Sequence, residues 1–442
     1  MKNTGKTEKL EPWSTPSRDN PGRWYPFIHW LCQRVYYSRI RLLHPERLAG
    51  AKEVPVLYLG LHRNGAMDGF IHHALFPKQT FLITSNLRRH RFLRLFFSGI
   101  EVLRKKDPAS SPAARKATNL AALDRCQAHL AANGQLLVFP EGTSDLGPHH
   151  LPFQSGAARI LLRFLEEHPV RNIAVIPLGI HYERAWAFRS RVEMLVGHQI
   201  NTDFDPESTH RTRLGILKRR INEALEDVGA NFPTPEDQQR SEAAAYASTL
   251  GAGHTYTEAL QRFAHHLPER IANHWSSLRE SKEWPKLWLH QGVPLIPLKR
   301  RLLPLYAFWF AISAPWVALG SLLNAPPLLA AHLTGKRCAD EPNVIALWRV
   351  LVGLPASLLW VTFLIFVTVT TSHWVLFAGY LAVSTLGLLS YYRVKKLAVT
   401  IHNGLRFPRL RPEALQFHRS ILNSLSNEDT TRSILDSVPS AH

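Results

Sequence analysis

Residues 54–70 read VPVLYLGLHRNGAMDGF, a short apolar run that ends on His62 and passes through Asn64-Gly65 to Asp68. The run at 54–61 is shorter than an ordinary helix and is bounded by turn residues, so it reads as a buried strand. Four similar runs follow: TFLITSN (80–86), QLLVF (135–139), IAVIPLGI (173–180) and VEMLVG (192–197). Helical patterns lie between them, at 109–132 before Asn133-Gly134 and at 154–167 before His168-Pro169. Strands separated by helices predict an α/β domain over 51–205, a mixed and mostly buried sheet flanked by helices.

Outside this block the chain changes character. Residues 1–23 are polar, and nothing in them argues for export. Residues 24–44 (WYPFIHWLCQRVYYSRIRLLH) interleave aromatic and apolar residues with Arg, which predicts an interfacial helix lying on a membrane or packing on the core and completes a unit over 1–50. Residues 206–298 lose the strand signal and read as a helical insertion. Residues 299–396 read as a membrane region. Val350 to Tyr392 runs for 43 residues without a charge, enough for a transmembrane hairpin over 350–392, since one span needs about 20. The uncharged stretch 302–335 is interrupted by Pro304, Pro315, Pro326 and Pro327 and predicts broken or re-entrant helices. Residues 397–442 read as a loosely structured polar tail.

The 442 residues carry 53 Lys and Arg against 34 Asp and Glu, a net charge of +19 that points to anionic partners. The basic clusters at 299–301, 336–337, 349 and 393–396 flank apolar segments, which favours a lipid bilayer with the catalytic domain on its cytoplasmic face over nucleic acid. Three scattered cysteines, Cys32, Cys126 and Cys338, provide neither a disulfide framework nor a thiolate zinc site.

Four motifs can carry chemistry. His62 ends a strand close to Asp68, an arrangement that fits a general base with its orienting carboxylate or a structural hydrogen bond. Arg104, in SGIEVLRKKD, can offer its planar fork to phosphate oxygens, while Lys105 and Lys106 read as a solvated face. Arg88, Arg89, Arg91 and Arg94 lie among apolar residues in a pattern suited to anionic headgroups. FPEGT places Glu141, Gly142 and Thr143 at a strand end, where a carboxylate can meet a polyol hydroxyl, or where Pro-Glu-Gly simply turns the chain. The V-I-P strand puts Pro177 in an apolar run and suggests a bend lining a cleft.

Taken in this order the motifs resemble those of the glycerolipid acyltransferases, the lysophosphatidate and glycerol-3-phosphate acyltransferase group: His62 with Asp68, Gly99 to Arg104, Phe139 to Thr143, Val175 to Pro177 and, after the third, LPFQSGA at 151–157. NAPPLL (324–329) and VIALWRVLVGLP (344–355) are similar to the membrane part of fungal-type glycerol-3-phosphate acyltransferases. The resemblance implies a membrane-bound O-acyltransferase that moves a fatty acyl group from acyl-CoA or acyl carrier protein to a glycerol-phosphate or lysophospholipid acceptor, with no cofactor and no metal. His62 would be the base, Asp68 its orienting partner, Arg104 the phosphate contact, and Glu141, Gly142 and Thr143 substrate-binding. The acceptor expected first is 1-acylglycerol-3-phosphate, giving phosphatidate; glycerol-3-phosphate is the alternative, toward which the C-terminal likeness leans. Two departures matter. Five residues separate His62 from Asp68 where the family has four, so the Asn64-Gly65 turn must absorb one, and Gln154 stands where relatives often carry Lys. The extra residue also motivates a rival reading, an inactive lipid-binding membrane protein. A second rival is a metal-dependent phosphoesterase that recruits His62, Asp68, Glu141, His149 and His150.

Overall fold

The structure, a computed structural model, describes residues 24–88, 92–104, 107, 111–250, 253–297 and 299–436. Arg89, Arg91, Lys105, Lys106 and the polar segment 1–23 lie outside them, as do 437–442. The chain enters through α1 (Trp24–Tyr36) and β1 (Arg39–Leu43), then runs β2 (Val56–Gly60), α2 (Ala66–Leu75), β3 (Gln79–Thr84), β4 (Ile100–Val102), α3 (Pro112–Ala131), β5 (Gln135–Val138), α4 (Gly156–Glu167), β6 (Ala174–Tyr182) and β7 (Arg191–Val196). The seven strands form one sheet in the order β1-β7-β6-β2-β5-β3-β4. All neighbours pair parallel except β6 and β7, so β7 and β1 oppose the other five. Every position of β2 and β6 is buried, which explains why their sequences show no alternation: helices cover both faces. Pro177 is tolerated inside β6 because it lies one residue beyond the last β6–β7 pair, Leu178 with Val196, so its missing N–H breaks no bond of that ladder. It does not line the cleft described below, contrary to expectation.

Three boundaries differ from the sequence reading. The helix expected over 24–44 stops at Tyr36, and Arg39–Leu43 joins the sheet as its edge strand, with Arg39 and Arg41 on the exposed side. The α/β domain therefore starts before residue 51. Of the two expectations for α1, packing on the core is seen at Tyr25, His29 and Gln33, which are buried, while Phe27 and Trp30 are exposed. At the other end, α5 (His210–Asp227) buries Leu217, Ile221 and Leu225 in the core of the sheet, so the insertion begins only after it. There α6 (Pro235–Ser248), α7 (Tyr256–His265) and α8 (Glu269–Glu280) build a second core.

The membrane region holds α9 (Leu303–Leu323), α10 (Ala325–Arg337), α11 (Pro342–Thr371) and α12 (Trp374–Arg406). Three segments, 300–323, 342–371 and 374–406, are long and apolar enough to cross a membrane. Gly320 and Gly387 let α9 and α12 pack backbone to backbone, since a Cβ on Gly387 would lie 2.6 Å from the Trp316 carbonyl oxygen. The chain breaks at Asn324, whose amide donates to Ser384 Oγ at 2.8 Å and whose carbonyl oxygen accepts from Tyr380 Oη at 2.7 Å, both on α12. Trp360 of α11 donates to the Leu323 carbonyl at 3.0 Å, so the α9–α10 apex is level with Trp360. The eleven residues of α11 beyond it, roughly 16 Å of helix at about 1.5 Å per residue, carry the α11–α12 hairpin further. The break falls at Asn324, just before Pro326 and Pro327 in the first turn of α10, whereas Pro315 lies inside α9 and does not end it. The tail is not loose: α12 continues to Arg406, and α13 (Arg411–Asp436) places Phe417, Ile421 and Leu425 in the second core, a four-residue spacing that marks one helix face.

Candidate active site

Parallel strands β2, β4 and β5 end on the same side of the sheet, and the segments leaving them carry the expected residues. His62 follows β2, Arg104 follows β4, and Glu141 to Ser144 follow β5. Loops at the carboxyl ends of parallel strands are where an open α/β sheet forms its crevice. The five-residue spacer is absorbed as the Asn64-Gly65 pair predicts. His62 stays outside α2, Gly65 adopts φ 54°, and the helix starts at Ala66. Asp68, in its first turn, then faces back to the strand end.

The resulting geometry is a His–Asp pair. His62 Nδ1 donates to Asp68 Oδ2 at 2.8 Å, the tautomer following from the carboxylate being able only to accept. The same oxygen accepts the backbone N–H groups of Arg63 at 2.7 Å and Asn64 at 2.8 Å. The imidazole stacks on Phe139 at 4.4 Å, and among the described residues no group takes Nε2, whose ring lines the cavity. One turn beyond Asp68, burial pushes His72 down to about 3, so it packs edge-on against Phe139 as a neutral ring and adds no second cation.

Sequence reasoning missed Tyr182. At the end of β6 it is buried, and its hydroxyl donates to Asp68 Oδ1 at 2.5 Å across 114 positions of chain. Behind it, Asn64 donates to Tyr37 Oη at 3.1 Å and to the Ala185 carbonyl at 2.9 Å. Burial pushes the Tyr182 and Tyr37 hydroxyls well above the ordinary phenol range, so both stay protonated. The only signal in the sequence was that the V-I-P run extends through His181 and Tyr182. Tyr182→Phe removes one of four donors to the Asp68 carboxylate. It should cost about 1–3 kcal/mol of stability and lower kcat about tenfold with acceptor KM unchanged, checked by melting and steady-state kinetics; an unchanged kcat would leave Tyr182 a purely structural role.

Arg104 is already engaged. Its Nε and Nη2 donate to the buried Asp107 carboxylate, Nη2 at 2.9 Å, and Nη1 donates to the Gly142 carbonyl at 3.3 Å. Burial raises the Asp107 carboxyl, but the hydrogen bonds from Arg104 and Thr84 outweigh it and hold the group below the usual range. The guanidinium is thereby fixed against the Gly142 turn with N–H groups to spare. Glu141 lines the cavity, as expected of a substrate-binding residue, and its carboxylate is also engaged by the backbone. Its Oε1 accepts from the His62 backbone N–H at 2.7 Å and its Oε2 from Leu151 N–H at 3.1 Å, and burial raises its carboxyl. It braces the base from behind. Gly142, at φ 70°, and Thr143 line the cavity. Gln154 lines it too, but its amide donates to the Pro152 carbonyl at 3.1 Å. Gly99 serves packing: a Cβ there would lie 2.3 Å from the Phe81 carbonyl oxygen.

The cavity before His62 has a volume of about 1140 Å³. Its lining carries polar groups at His62, Arg104 and Thr143 and at Lys116, Asn119 and Arg159, while Leu123, Cys126, Val138 and Ile160 give it apolar wall. Burial pushes the Cys126 thiol up to about 12, so it is a wall residue, not a nucleophile. Among the described residues no three His, Cys, Asp or Glu side chains are grouped to hold a metal ion, and His150, expected in a metal reading, accepts the Ala230 N–H at 3.2 Å instead.

A sheet with its crevice at the carboxyl strand ends, a His–Asp pair and an apolar cavity define an acyltransferase-like domain, and residues 39–181 match the family model described as Acyltransferase. The motifs of this domain resemble those of the glycerolipid acyltransferases. The chain is 32% identical over 109 residues to glycerol-3-phosphate O-acyltransferase 2 of Saccharomyces cerevisiae, covering 24% of this chain and 15% of that protein. It is 30% identical over 106 residues to glycerol-3-phosphate O-acyltransferase 1 of the same yeast, covering 23% and 14%. It thus spans about a seventh of the length of these curated relatives. Among solved structures, the 1-acyl-sn-glycerophosphate acyltransferase of Thermotoga maritima aligns over 45% of this chain and 78% of that one, at 16% identity and a TM-score of 0.29.

Proposed function

We propose that this protein is a membrane-bound O-acyltransferase that transfers a fatty acyl group from a thioester, acyl-CoA or acyl carrier protein, to a hydroxyl of a glycerol-phosphate acceptor. The observation that carries the reading is the Asp68-anchored imidazole with a free Nε2 at the mouth of a large apolar cavity. Nε2 takes the acceptor hydroxyl proton as the oxygen forms a bond to the thioester carbonyl carbon. The tetrahedral intermediate then collapses, the C–S bond breaks, and the thiolate leaves with the proton returned by the imidazolium. Asp68 holds the tautomer and stabilises the cation, and Glu141 and Tyr182 hold the pair in place. The acyl chain occupies the apolar interior, and no resident metal or organic cofactor is part of the reading. The basic clusters gather at the end of the helix bundle nearest the α/β domain, which supports a cytoplasmic catalytic face.

Arg104 meets the acceptor phosphate with the N–H groups that Asp107 leaves over. Arg104→Ala should raise the KM for a phosphorylated acceptor about tenfold or more and also lower stability, because the buried Asp107 loses its partner. An unchanged KM would remove the role. The acceptor expected from the motifs is 1-acylglycerol-3-phosphate. The names of the two yeast relatives, glycerol-3-phosphate O-acyltransferases, favour glycerol-3-phosphate as a second reading. A panel of both acceptors and other lysophospholipids with one labelled thioester decides between them, and transfer to none would leave the lipid-binding reading instead.

A further inference from the structure

α11 is a membrane helix by composition, yet its first turns are built into the catalytic domain. Asn343, buried at the start of the helix, donates to the Ser144 carbonyl at 3.0 Å and contacts Ser144 Oγ at 3.3 Å, pinning the loop that follows Glu141. Its own carbonyl oxygen lies 3.0 Å from where a Cβ on Gly65 would stand, and Val344 Cγ1 lies 3.6 Å from the same point. Ala346, Val350 and Leu351 are buried in the core that fills the sheet. This places Val344 and Leu347 in the wall of the cavity that holds His62, together with Tyr25 and His29 of α1. Both residues lie outside the segment matched by the family model.

We infer that Val344 and Leu347 are an alkyl-chain contact surface, so that the helix anchoring the protein in the bilayer also touches the hydrocarbon of its lipid substrate and sets which chain lengths are accepted. The inference rests on the acyltransferase reading of the same cavity. The chemistry fits because these side chains offer only apolar surface, against which an alkyl chain is removed from water. Beyond Leu347, α11 leaves the cavity and runs to Thr371 as an apolar helix long enough to cross a membrane, on which Leu359 is 72% exposed.

The test uses the full chain in lipid vesicles and compares Val344→Trp and Leu347→Trp with Leu359→Trp, which faces away from the site. With glycerol-3-phosphate as a chainless acceptor, eight- and eighteen-carbon thioesters probe the donor chain; with a short-chain thioester, a series of 1-acylglycerol-3-phosphates probes the acceptor chain. The expected result is that the ratio of kcat/KM for long over short chains falls about tenfold or more in one of the two series for the cavity-facing variants and is unchanged for Leu359→Trp; the series that moves identifies the chain. Ratios unchanged in both series would overturn the inference. A photoreactive eighteen-carbon chain, carried on the thioester and in parallel on 1-acylglycerol-3-phosphate, is expected to label wild-type α11 from one of the two and to lose that label in Leu347→Trp, which reads the contact without turnover. Labelling without transfer would sink the activity and leave the chain contact standing, whereas transfer without α11 label from either probe would do the reverse.

Discussion

His62→Ala should abolish the proposed acyl transfer, lowering kcat/KM by about 10⁴-fold or more, while the protein should still fold and melt near the wild-type temperature. The imidazole is partly exposed and stacks only on Phe139, so its loss leaves the sheet core untouched. The effect is large because the mechanism has one proton acceptor. His72 is held neutral behind Phe139, its ring nitrogens make no hydrogen bond among the described residues, and it does not line the cavity. A labelled-thioester assay beside a melting curve checks the prediction, and a well-folded His62→Ala protein that still transfers acyl groups would reassign the base.

The second large effect is Asp68→Asn, which should cost roughly 10³–10⁴ in kcat at nearly constant acceptor KM. The exchange is almost isosteric. The asparagine carbonyl can accept from the backbone N–H groups of Arg63 and Asn64, and its amide can donate to a Tyr182 hydroxyl that turns to accept. What disappears is the charge that stabilises the imidazolium. Asp68→Ala is a harsher change, because it also strands buried donors and should unfold the 62–68 turn. In the double variant Asp68→Asn with Tyr182→Phe, losses well short of additive are expected, since both act on one carboxylate.

Much of this site was readable before any coordinates. His62 and Asp68 lie six positions apart, and the Asn-Gly turn between them has few conformations, so their meeting is nearly a local event. The order of strand runs named the α/β class for the same reason, because burial on both faces leaves uninterrupted apolar sequence. Arg104 was recognisable as a cation at a strand end. Its clamp to Asp107 lies only three positions away, yet it stayed hidden because it depends on how the loop after β4 closes. Glu141 was readable as a cavity carboxylate, but its bond to the His62 backbone was not, because local sequence does not say which way a carboxylate after a strand points. The edge strand β1 escaped because Arg39 and Arg41 alternate with Ile40 and Leu42 next to an aromatic helix, and over five residues the two periodicities are hard to separate.

The amino-acid order alone determined which segments avoid water, where the chain must turn, and that an imidazole and a carboxylate would share a strand end. The tertiary structure decided what surrounds them: Tyr182 on Asp68 across 114 positions, Glu141 on the His62 backbone across 79, and Asn343 on Ser144 across 199. The division has a physical cause. Side-chain polarity and backbone preference act within a few residues, whereas these three contacts exist only after β2, β5 and β6 take neighbouring places in the sheet and α11 closes over the turn.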